Sequence, residues 1–139
     1  MPIKNVSVEE ASQLLEEGYV YLDVRTEEEF DAGHVPGAAN VPLLVSGSPG
    51  MQPNPDFLSV VEKAFEKDCK FVVGCRSGGR SQRAAEIMAQ AGFQTLCNMQ
   101  GGMAGARDAF GRPLQGWTAC GLPTEAGAGT GKAYSDLKG

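Results

Sequence analysis

The sequence predicts an α/β fold in which a central parallel sheet of about five strands carries helices on both faces. Two observations support this fold class. Short apolar runs such as Tyr19–Val24 and Lys70–Gly74 are typical of buried strands. Segments with helical periodicity and clear end signals separate these runs. Strands that alternate with helices form β-α-β units around a parallel sheet.

The first two helices are marked by capping boxes. Ser7 with Glu10 precedes a segment whose apolar residues fall on one helical face, and Thr26 with Glu29 precedes a short helix over residues 27–32. Gly33 ends that second helix. Both helices are therefore bounded by sequence signals.

The other elements follow from the same signals. In chain order we predict a turn at 34–38, a strand at 39–41, a surface loop at 46–55, a helix at 55–65, a strand at 70–74, a helix at 81–91, a strand at 94–98 and a helical stretch from Gly101. Residues 1–125 are expected to form one domain, and the Gly-rich segment 126–139 a flexible C-terminal tail.

Composition excludes several classes of function. The net charge of −5 argues against a nucleic-acid partner, and no apolar run is long enough to span a membrane. Without a secretion signal, we expect a cytoplasmic protein, or a plastid or mitochondrial one if a transit peptide was removed. The four cysteines form no C-x-x-C pair and His34 is the single histidine, so we expect no metal site. A chain of this length does not need disulfides for stability and shows no secretion signal, so we expect free thiols. We expect no cofactor.

The segment Cys75–Ser81 has the features of an anion-binding active-site loop between a buried strand and a helix. Gly78 and Gly79 let the backbone curl so that its N–H groups point inward, and the following helix adds the positive end of its dipole. Arg76 and Arg80 add two positive charges. Such surroundings favour a thiolate over a thiol, although a lone cysteine can also be a small buried residue.

The length of this loop separates two kinds of chemistry. Cysteine phosphatases use C-x-x-x-x-x-R, which would require an arginine at position 81, whereas this chain has Ser81 and places Arg80 one residue earlier. A shorter loop encloses a smaller cavity, which suits a sulfur atom better than a phosphoryl group.

Two motifs resemble those of the rhodanese family of thiosulfate sulfurtransferases. Tyr21–Arg25, with Glu29-Phe30 and Gly33–Ala38, is similar to the first signature of that family, and Cys75–Ser81 to its active-site loop. The similarity covers roughly residues 5–125, with plant and cyanobacterial-type single-domain members most alike. The segment from Met103 to Trp117 departs from the pattern, because an aromatic residue normally follows the Gly-Gly pair sooner.

The resemblance implies a rhodanese-like fold and a sulfurtransferase. Cys75 would be the catalytic residue and carry sulfur from thiosulfate or a related small anionic donor as a persulfide. Substrate-binding groups would come from the rest of the loop: Arg76, Ser77, Gly78, Gly79, Arg80 and Ser81. The acceptor would be cyanide, a thiol or a protein, and the enzyme a monomer or a homodimer.

Several roles keep an alternative at this stage. Arg76 and Arg80 are candidates for holding sulfonate oxygens, but Arg80 could equally form a structural ion pair. Ser77 and Ser81 could donate hydrogen bonds to the sulfur, or Ser81 could be the N-cap of its helix. His34 is expected to be structural, and Asp23 with Arg25 to form a scaffold ion pair. Competing functions are an arsenate reductase or phosphatase-like cysteine enzyme, and a non-catalytic sulfide-sensing module.

Overall fold

The computed structural model describes residues 3–47, 50–76, 79–107, 110–127 and 132–138. The strands are β1 (Ile3–Val6), β2 (Val20–Asp23), β3 (Ala39–Asn40), β4 (Leu44–Gly47), β5 (Gly50–Pro53), β6 (Lys70–Gly74), β7 (Thr95–Met99), β8 (Ala106–Arg107) and β9 (Pro113–Leu114). The helices are α1 (Val8–Glu16), α2 (Glu27–Ala32), α3 (Phe57–Ala64), α4 (Gly79–Gln90) and α5 (Tyr134–Lys138).

The central sheet has five parallel strands in the order β1-β7-β6-β2-β3. This confirms the predicted fold class. Strand β6 lies in the middle, and its last residue, Gly74, is in register with Asp23 of β2. The residue after β6 therefore emerges at the centre of the carboxyl edge, where ligands bind in parallel α/β sheets.

Two apolar cores lie on opposite faces of this sheet. Phe71 and Val73 of β6 belong to the core that α3 and α4 cover, whereas Val72 belongs to the core that α1 and α2 cover. All three side chains are fully buried. Successive residues of a strand point to opposite faces of the sheet. Because helices cover both faces, both sets of β6 side chains are buried, which explains why the interior of this strand is apolar.

Both predicted capping boxes are present. The Ser7 hydroxyl accepts from the Glu10 N–H and the Glu10 carboxylate accepts from the Ser7 N–H, and Thr26 with Glu29 makes the same pair of bonds. Each box uses N–H groups that a helix start leaves without an intrahelical acceptor.

Three local predictions are wrong. Part of the predicted loop 46–55 pairs as the antiparallel ribbon β4-β5, and β8-β9 form a second ribbon in place of a helical stretch after Gly101. Positive φ angles at Gly101, Gly102 and Gly105 turn the backbone there and prevent a helix. Ser81 lies inside α4 and is not an N-cap.

The C-terminal segment differs from the flexible tail that the sequence predicts. Residues 132–138 carry α5, and the Tyr134 side chain is 5% exposed and packs in the core beneath α3 and α4. Its hydroxyl contacts the Asn54 side-chain amide at 3.1 Å. Burial of one aromatic ring holds this short segment against the domain.

Across these described ranges, no helix is both long and apolar enough to cross a membrane. Nor does the described part of the chain contain a cluster of three or more His, Cys, Asp or Glu side chains that could hold a metal ion.

Candidate active site

Cys75 is the first residue after β6, and its side chain is 1% exposed. Helix α4 begins at Gly79, so the cysteine lies between the end of a central strand and the start of a helix. Ser77 and Gly78, two of the predicted substrate-binding residues, lie outside the described residues. The described part of the loop nevertheless fixes where the sulfur lies.

The Cys75 sulfur faces the first turn of α4. The Ser81 N–H donates to Sγ at 3.4 Å, and Sγ lies 3.4 Å from the Ser81 hydroxyl oxygen. A backbone N–H at a helix N-terminus carries a partial positive charge, which stabilises an anion placed against it. The geometry thus provides one of the N–H donors that the sequence predicts.

Arg80 forms an ion pair with the Glu29 carboxylate. Its Nη1 and Nη2 atoms lie 2.7 and 3.1 Å from the two carboxylate oxygens of Glu29. This bidentate bond lowers the Glu29 pKa to about 2 and raises the Arg80 pKa above its usual value. Arg80 thus forms the ion pair that the sequence offered as one of its two roles, and its role in substrate binding stays a prediction.

Glu29 is itself held in place by its capping box. The Thr26 N–H and hydroxyl both donate to Glu29 Oε1 at 3.1 Å. One carboxylate thus joins the start of α2 to the start of α4. The capping box that predicts a helix therefore also holds the carboxylate that binds Arg80 beside the Cys75 loop.

Arg76 has a different environment from Arg80. It is exposed and lines a cavity of about 420 Å³ beside the loop. The other lining residues are Arg25, Glu29, Ala32, Gly33, Met103, Ala104, Thr118 and Thr124. Among the described residues Arg76 has no ion-pair partner, whereas Arg25 and Glu29 each have one. Arg76 therefore offers the uncompensated positive charge at this cavity.

The segment after β7 holds the opposite side of the loop through backbone contacts. The N–H groups of Met103 and Ala104 donate to the carbonyls of Cys75 and Arg76, both at 2.9 Å. Gly102 makes this approach possible, because a Cβ there would lie 2.5 Å from backbone atoms of both loop residues. The segment from Met103 onward, which departs from the expected pattern, is thus fixed directly to the Cys75 loop.

Asp23 and Arg25 form the predicted scaffold ion pair. Arg25 Nη2 lies 2.7 Å from Asp23 Oδ2, its Nε donates to the same carboxylate, and Nη2 also donates to the Gly33 carbonyl at 2.7 Å. Both side chains are buried. These bonds tie the end of β2 to the end of α2.

His34 is structural, as the sequence predicts. Its ring stacks on Phe30 with centroids 3.7 Å apart, Nδ1 lies 2.8 Å from the Phe30 carbonyl, and Nε2 lies 3.2 Å from Glu125 Oε1. The ring is fully buried. Its two nitrogens contact the Phe30 carbonyl and the Glu125 carboxylate, and neither of these contacts involves Cys75.

Two neighbours of the loop, Asn98 and Tyr21, had no role assigned to them from the sequence. The Asn98 carboxamide oxygen accepts from the Ser81 hydroxyl at 2.6 Å. The hydroxyl proton therefore points to Asn98 and not to the Cys75 sulfur, which was one of the two roles considered for Ser81. The Tyr21 ring packs against Gly74, where any Cβ would collide with its hydroxyl, and burial raises the Tyr21 pKa well above its usual value. A polar residue near the end of an apolar strand was the available signal for Asn98.

No disulfide joins the four cysteines, all of which are described. Cys97 lies in the core on the opposite face of the sheet from Cys75, and burial raises the Cys97 pKa. Cys120 contacts Glu9 and Gln115. None of these contacts brings a second thiol to Cys75.

Comparison with known proteins identifies the class to which this fold and loop belong. Residues 7–109 match the rhodanese-like domain, and the chain belongs to that family. It is similar to Thiosulfate sulfurtransferase 16, chloroplastic, of Arabidopsis thaliana, with 43% identity over 88% of this chain and 92% of the relative. It also matches Protein HIGH ARSENIC CONTENT 1, mitochondrial, of the same plant, at 40% identity over 77% of this chain and 63% of that protein.

Solved structures show the same architecture. The crystal structure of Rv0390 from M. tuberculosis superposes with a TM-score of 0.72 at 29% identity, covering 89% of this chain and 98% of the other. A rhodanese-like fold is therefore established by sequence and by structure.

Proposed function

We propose that this protein is a sulfurtransferase that moves a sulfane sulfur from thiosulfate, or a related small anionic donor, to a thiophilic acceptor through a persulfide on Cys75. The carrying observation is the position of the Cys75 sulfur against the first turn of α4, 3.4 Å from the Ser81 N–H. The relative named as a thiosulfate sulfurtransferase supports the same chemistry.

The reaction has two half-reactions. The Cys75 thiolate attacks the outer sulfur of thiosulfate, the S–S bond of the donor breaks, and sulfite leaves with the bonding electron pair. A nucleophile, cyanide or a thiolate, then attacks the outer sulfur of the persulfide, and the Cys75 thiolate leaves. The enzyme returns to its starting state without a cofactor, and ping-pong kinetics follow.

Arg76 is the residue that would bind the sulfonate oxygens of the donor. Its guanidinium lines the cavity of about 420 Å³ beside the loop, and no other cation of that cavity lacks an ion-pair partner within the described ranges. Charge-assisted hydrogen bonds from a guanidinium suit sulfonate oxygens. The N–H of Ser81, and the helix dipole behind it, would stabilise the persulfide anion.

The test is thiocyanate formation from thiosulfate and cyanide by the purified protein. Cys75→Ser should lose at least about 1000-fold in rate, because serine does not form a persulfide. Cys69→Ser is the matched control, since Cys69 is half-buried at the edge of the core and should leave the rate unchanged. Mass spectrometry after donor treatment should show one added sulfur on Cys75, and robust turnover by the Cys75→Ser protein would exclude the persulfide route.

Arsenate reduction is a second candidate, because one relative carries the name HIGH ARSENIC CONTENT 1. Reduction of arsenate to arsenite needs two electrons, which an added dithiol or pair of thiols would supply. The assay is arsenite formation in the presence of thiol, with Cys75→Ser as control. Phosphatase action is not expected, because position 81 is Ser where the phosphatase motif requires Arg. Hydrolysis of an aryl phosphate by the purified protein would test this.

The cellular compartment and the acceptor also belong to this proposal. The names of the relatives include chloroplastic and mitochondrial proteins, which supports the organelle alternative over the cytoplasmic expectation. A monomer or homodimer, and a thiol or protein as acceptor, remain predictions.

A further inference from the structure

A chain of polar side chains leads from the Cys75 sulfur to the surface of α4. The Ser81 hydroxyl lies 2.6 Å from Asn98 Oδ1, and Asn98 Nδ2 lies 3.1 Å from Gln82 Oε1. Gln82 Nε2 in turn lies 3.3 Å from a carboxylate oxygen of Glu86. Ser81 is fully buried and Asn98 is 4% exposed, so the inner part of this chain is shielded from water.

The carboxylate at the outer end determines the direction of every bond in this chain. An ionised carboxylate accepts but does not donate, so the NH₂ group of Gln82 faces Glu86 and its oxygen faces Asn98. Asn98 must then present its NH₂ group to Gln82 and its oxygen to Ser81. A second acceptor, the side-chain oxygen of Asn5, lies 3.2 Å from the same Asn98 nitrogen and favours the same orientation.

The Ser81 hydroxyl therefore gives its one proton to Asn98. Toward Cys75 Sγ, 3.4 Å away, the hydroxyl oxygen presents a lone pair, which accepts the proton of a thiol but offers nothing to a thiolate. In this arrangement Ser81 donates one hydrogen bond to the thiolate, from its backbone N–H and not from its hydroxyl.

We propose that Asn98 is a positioning residue that turns the Ser81 hydroxyl away from the Cys75 thiolate and so limits how strongly the loop stabilises that thiolate. The nucleophilicity of a thiolate falls as its stabilisation rises, and sulfur transfer requires Cys75 to attack a donor. The proposal deepens the proposed function and rests on its nucleophile, but its prediction concerns the ionisation of Cys75 and not the transfer of sulfur.

The other charged or titratable groups near Cys75 stay the same in the variants below. Arg76 is adjacent in the loop, and Tyr21 of β2 and Arg80 of α4 interact electrostatically with Cys75. Arg80 is already paired with Glu29. A change in ionisation after a substitution at position 98 is therefore assigned to the Ser81 hydroxyl.

The test measures the rate of Cys75 alkylation by iodoacetamide against pH, with the modified peptide quantified by mass spectrometry. In Asn98→Ala the Ser81 hydroxyl loses the Asn98 acceptor, and we expect its proton to turn to the sulfur. The rate at acidic pH should then rise about 3- to 10-fold, as expected for one added charge-assisted hydrogen bond. The plateau at high pH should fall, because the better-stabilised thiolate is less nucleophilic.

The decisive control repeats the substitution in a Ser81→Ala background. Without the hydroxyl, Asn98→Ala should leave the pH profile of alkylation unchanged, whereas a purely structural effect would move the profile equally in both backgrounds. An equal shift in both backgrounds, or no shift in the single variant, overturns the proposal. A failed thiocyanate assay with the expected alkylation profile would reject the proposed function and leave the role of Asn98 intact.

A milder variant covers the case in which Asn98→Ala does not fold. Gln82→Met keeps the size of a half-buried helical side chain but removes the oxygen that orients Asn98. The Asn98 carboxamide is then less constrained, so the same shift toward faster alkylation at acidic pH should appear at smaller amplitude. Slower alkylation at acidic pH in this variant would contradict the proposed direction of the bonds.

Discussion

Two segments flank the loop that begins at Cys75, and they support it in different ways. Residues 23–34 support it with charged side chains that are already paired, as in the Asp23–Arg25 and Glu29–Arg80 ion pairs. Residues 101–118 support it with backbone hydrogen bonds from Met103 and Ala104. We call the first segment the ion-pair side and the second the backbone side.

The difference shows which positions of the site can vary in sequence without moving the loop. A side chain on the ion-pair side is itself the support, so its replacement removes a bond. On the backbone side the N–H groups give the support, so Met103 and Thr118 can change and alter the cavity wall while the loop stays in place. Gly102 is the exception, because its lack of a side chain is what the contact requires.

Among the variants that test the two sides, Gly102→Ala on the backbone side should have the largest effect. The added Cβ would lie 2.5 Å from the backbone of Cys75 and Arg76, at a residue whose φ is +57°. We expect a loss of about 2–4 kcal/mol in the free energy of unfolding. The value of kcat/KM should fall about 100-fold, since a displacement near 1 Å at a reacting group has that effect.

Gly111→Ala is the control for this substitution. Gly111 also has positive φ, +78°, but a Cβ there meets nothing within 4 Å. Its backbone strain should lower stability by about 1 kcal/mol without a change in kcat/KM. Equal activity of the two variants would mean that close approach at Gly102 does not position the loop.

The next largest effect is expected at Arg76, the cation of the cavity that forms no ion pair with a described residue of either side. Arg76→Gln should raise the KM for thiosulfate about 10-fold with little change in kcat, because the lost bond serves donor binding. The exposed position predicts a stability change within about 0.5 kcal/mol. Lys63→Gln on α3 removes an equal charge at an exposed site outside the cavity and should leave KM unchanged. An unaltered KM in the Arg76 variant would assign donor binding to other groups.

Much of the ion-pair side was predictable from the sequence, because its signals are local. The capping box of Thr26 and Glu29 fixes the start of α2, and the run before Arg25 fixes the end of β2. The pairing of Glu29 with Arg80 was left open, since five elements of the chain, β3 to β6, separate the two residues. An arginine bound to a carboxylate and one bound to a substrate anion have the same sequence pattern.

The backbone side could not be predicted, because its contacts join distant parts of the chain through groups that every residue carries. Gly101 and Gly102 indicate a turn but not which backbone packs on them. The described side chains of the short ribbons β4-β5 and β8-β9 are exposed or half-buried, so no apolar alternation marks these ribbons. Strand β1 was missed for a related reason, since its two central residues, Lys4 and Asn5, are exposed at the sheet edge.

The smallest effect that we predict is a change in the pH dependence of stability on the ion-pair side. The Glu29 pKa is about 2 in the folded protein, below its ordinary value of 4.5. The unfolded chain therefore binds more protons between these values, and the contribution of Glu29 is full above about pH 4.5 and is lost as the pH falls toward 2. Both side chains of the pair are partly exposed, so solvent screening limits this contribution to about 1–2 kcal/mol.

Urea unfolding of Glu29→Gln from about pH 3 to pH 7 measures this contribution. The variant should be less stable by about 1–2 kcal/mol at neutral pH and approach the parent protein as the pH falls, because below about pH 4.5 the unfolded parent chain takes up a proton at Glu29 and the parent loses this advantage. Glu62→Gln removes a carboxylate from an exposed pair with Lys67 and should change stability by less than about 0.5 kcal/mol at every pH. If the Glu29 variant were destabilised equally at acidic and neutral pH, the side chain would act through packing, and the distinction between the ion-pair side and the backbone side would no longer rest on charge.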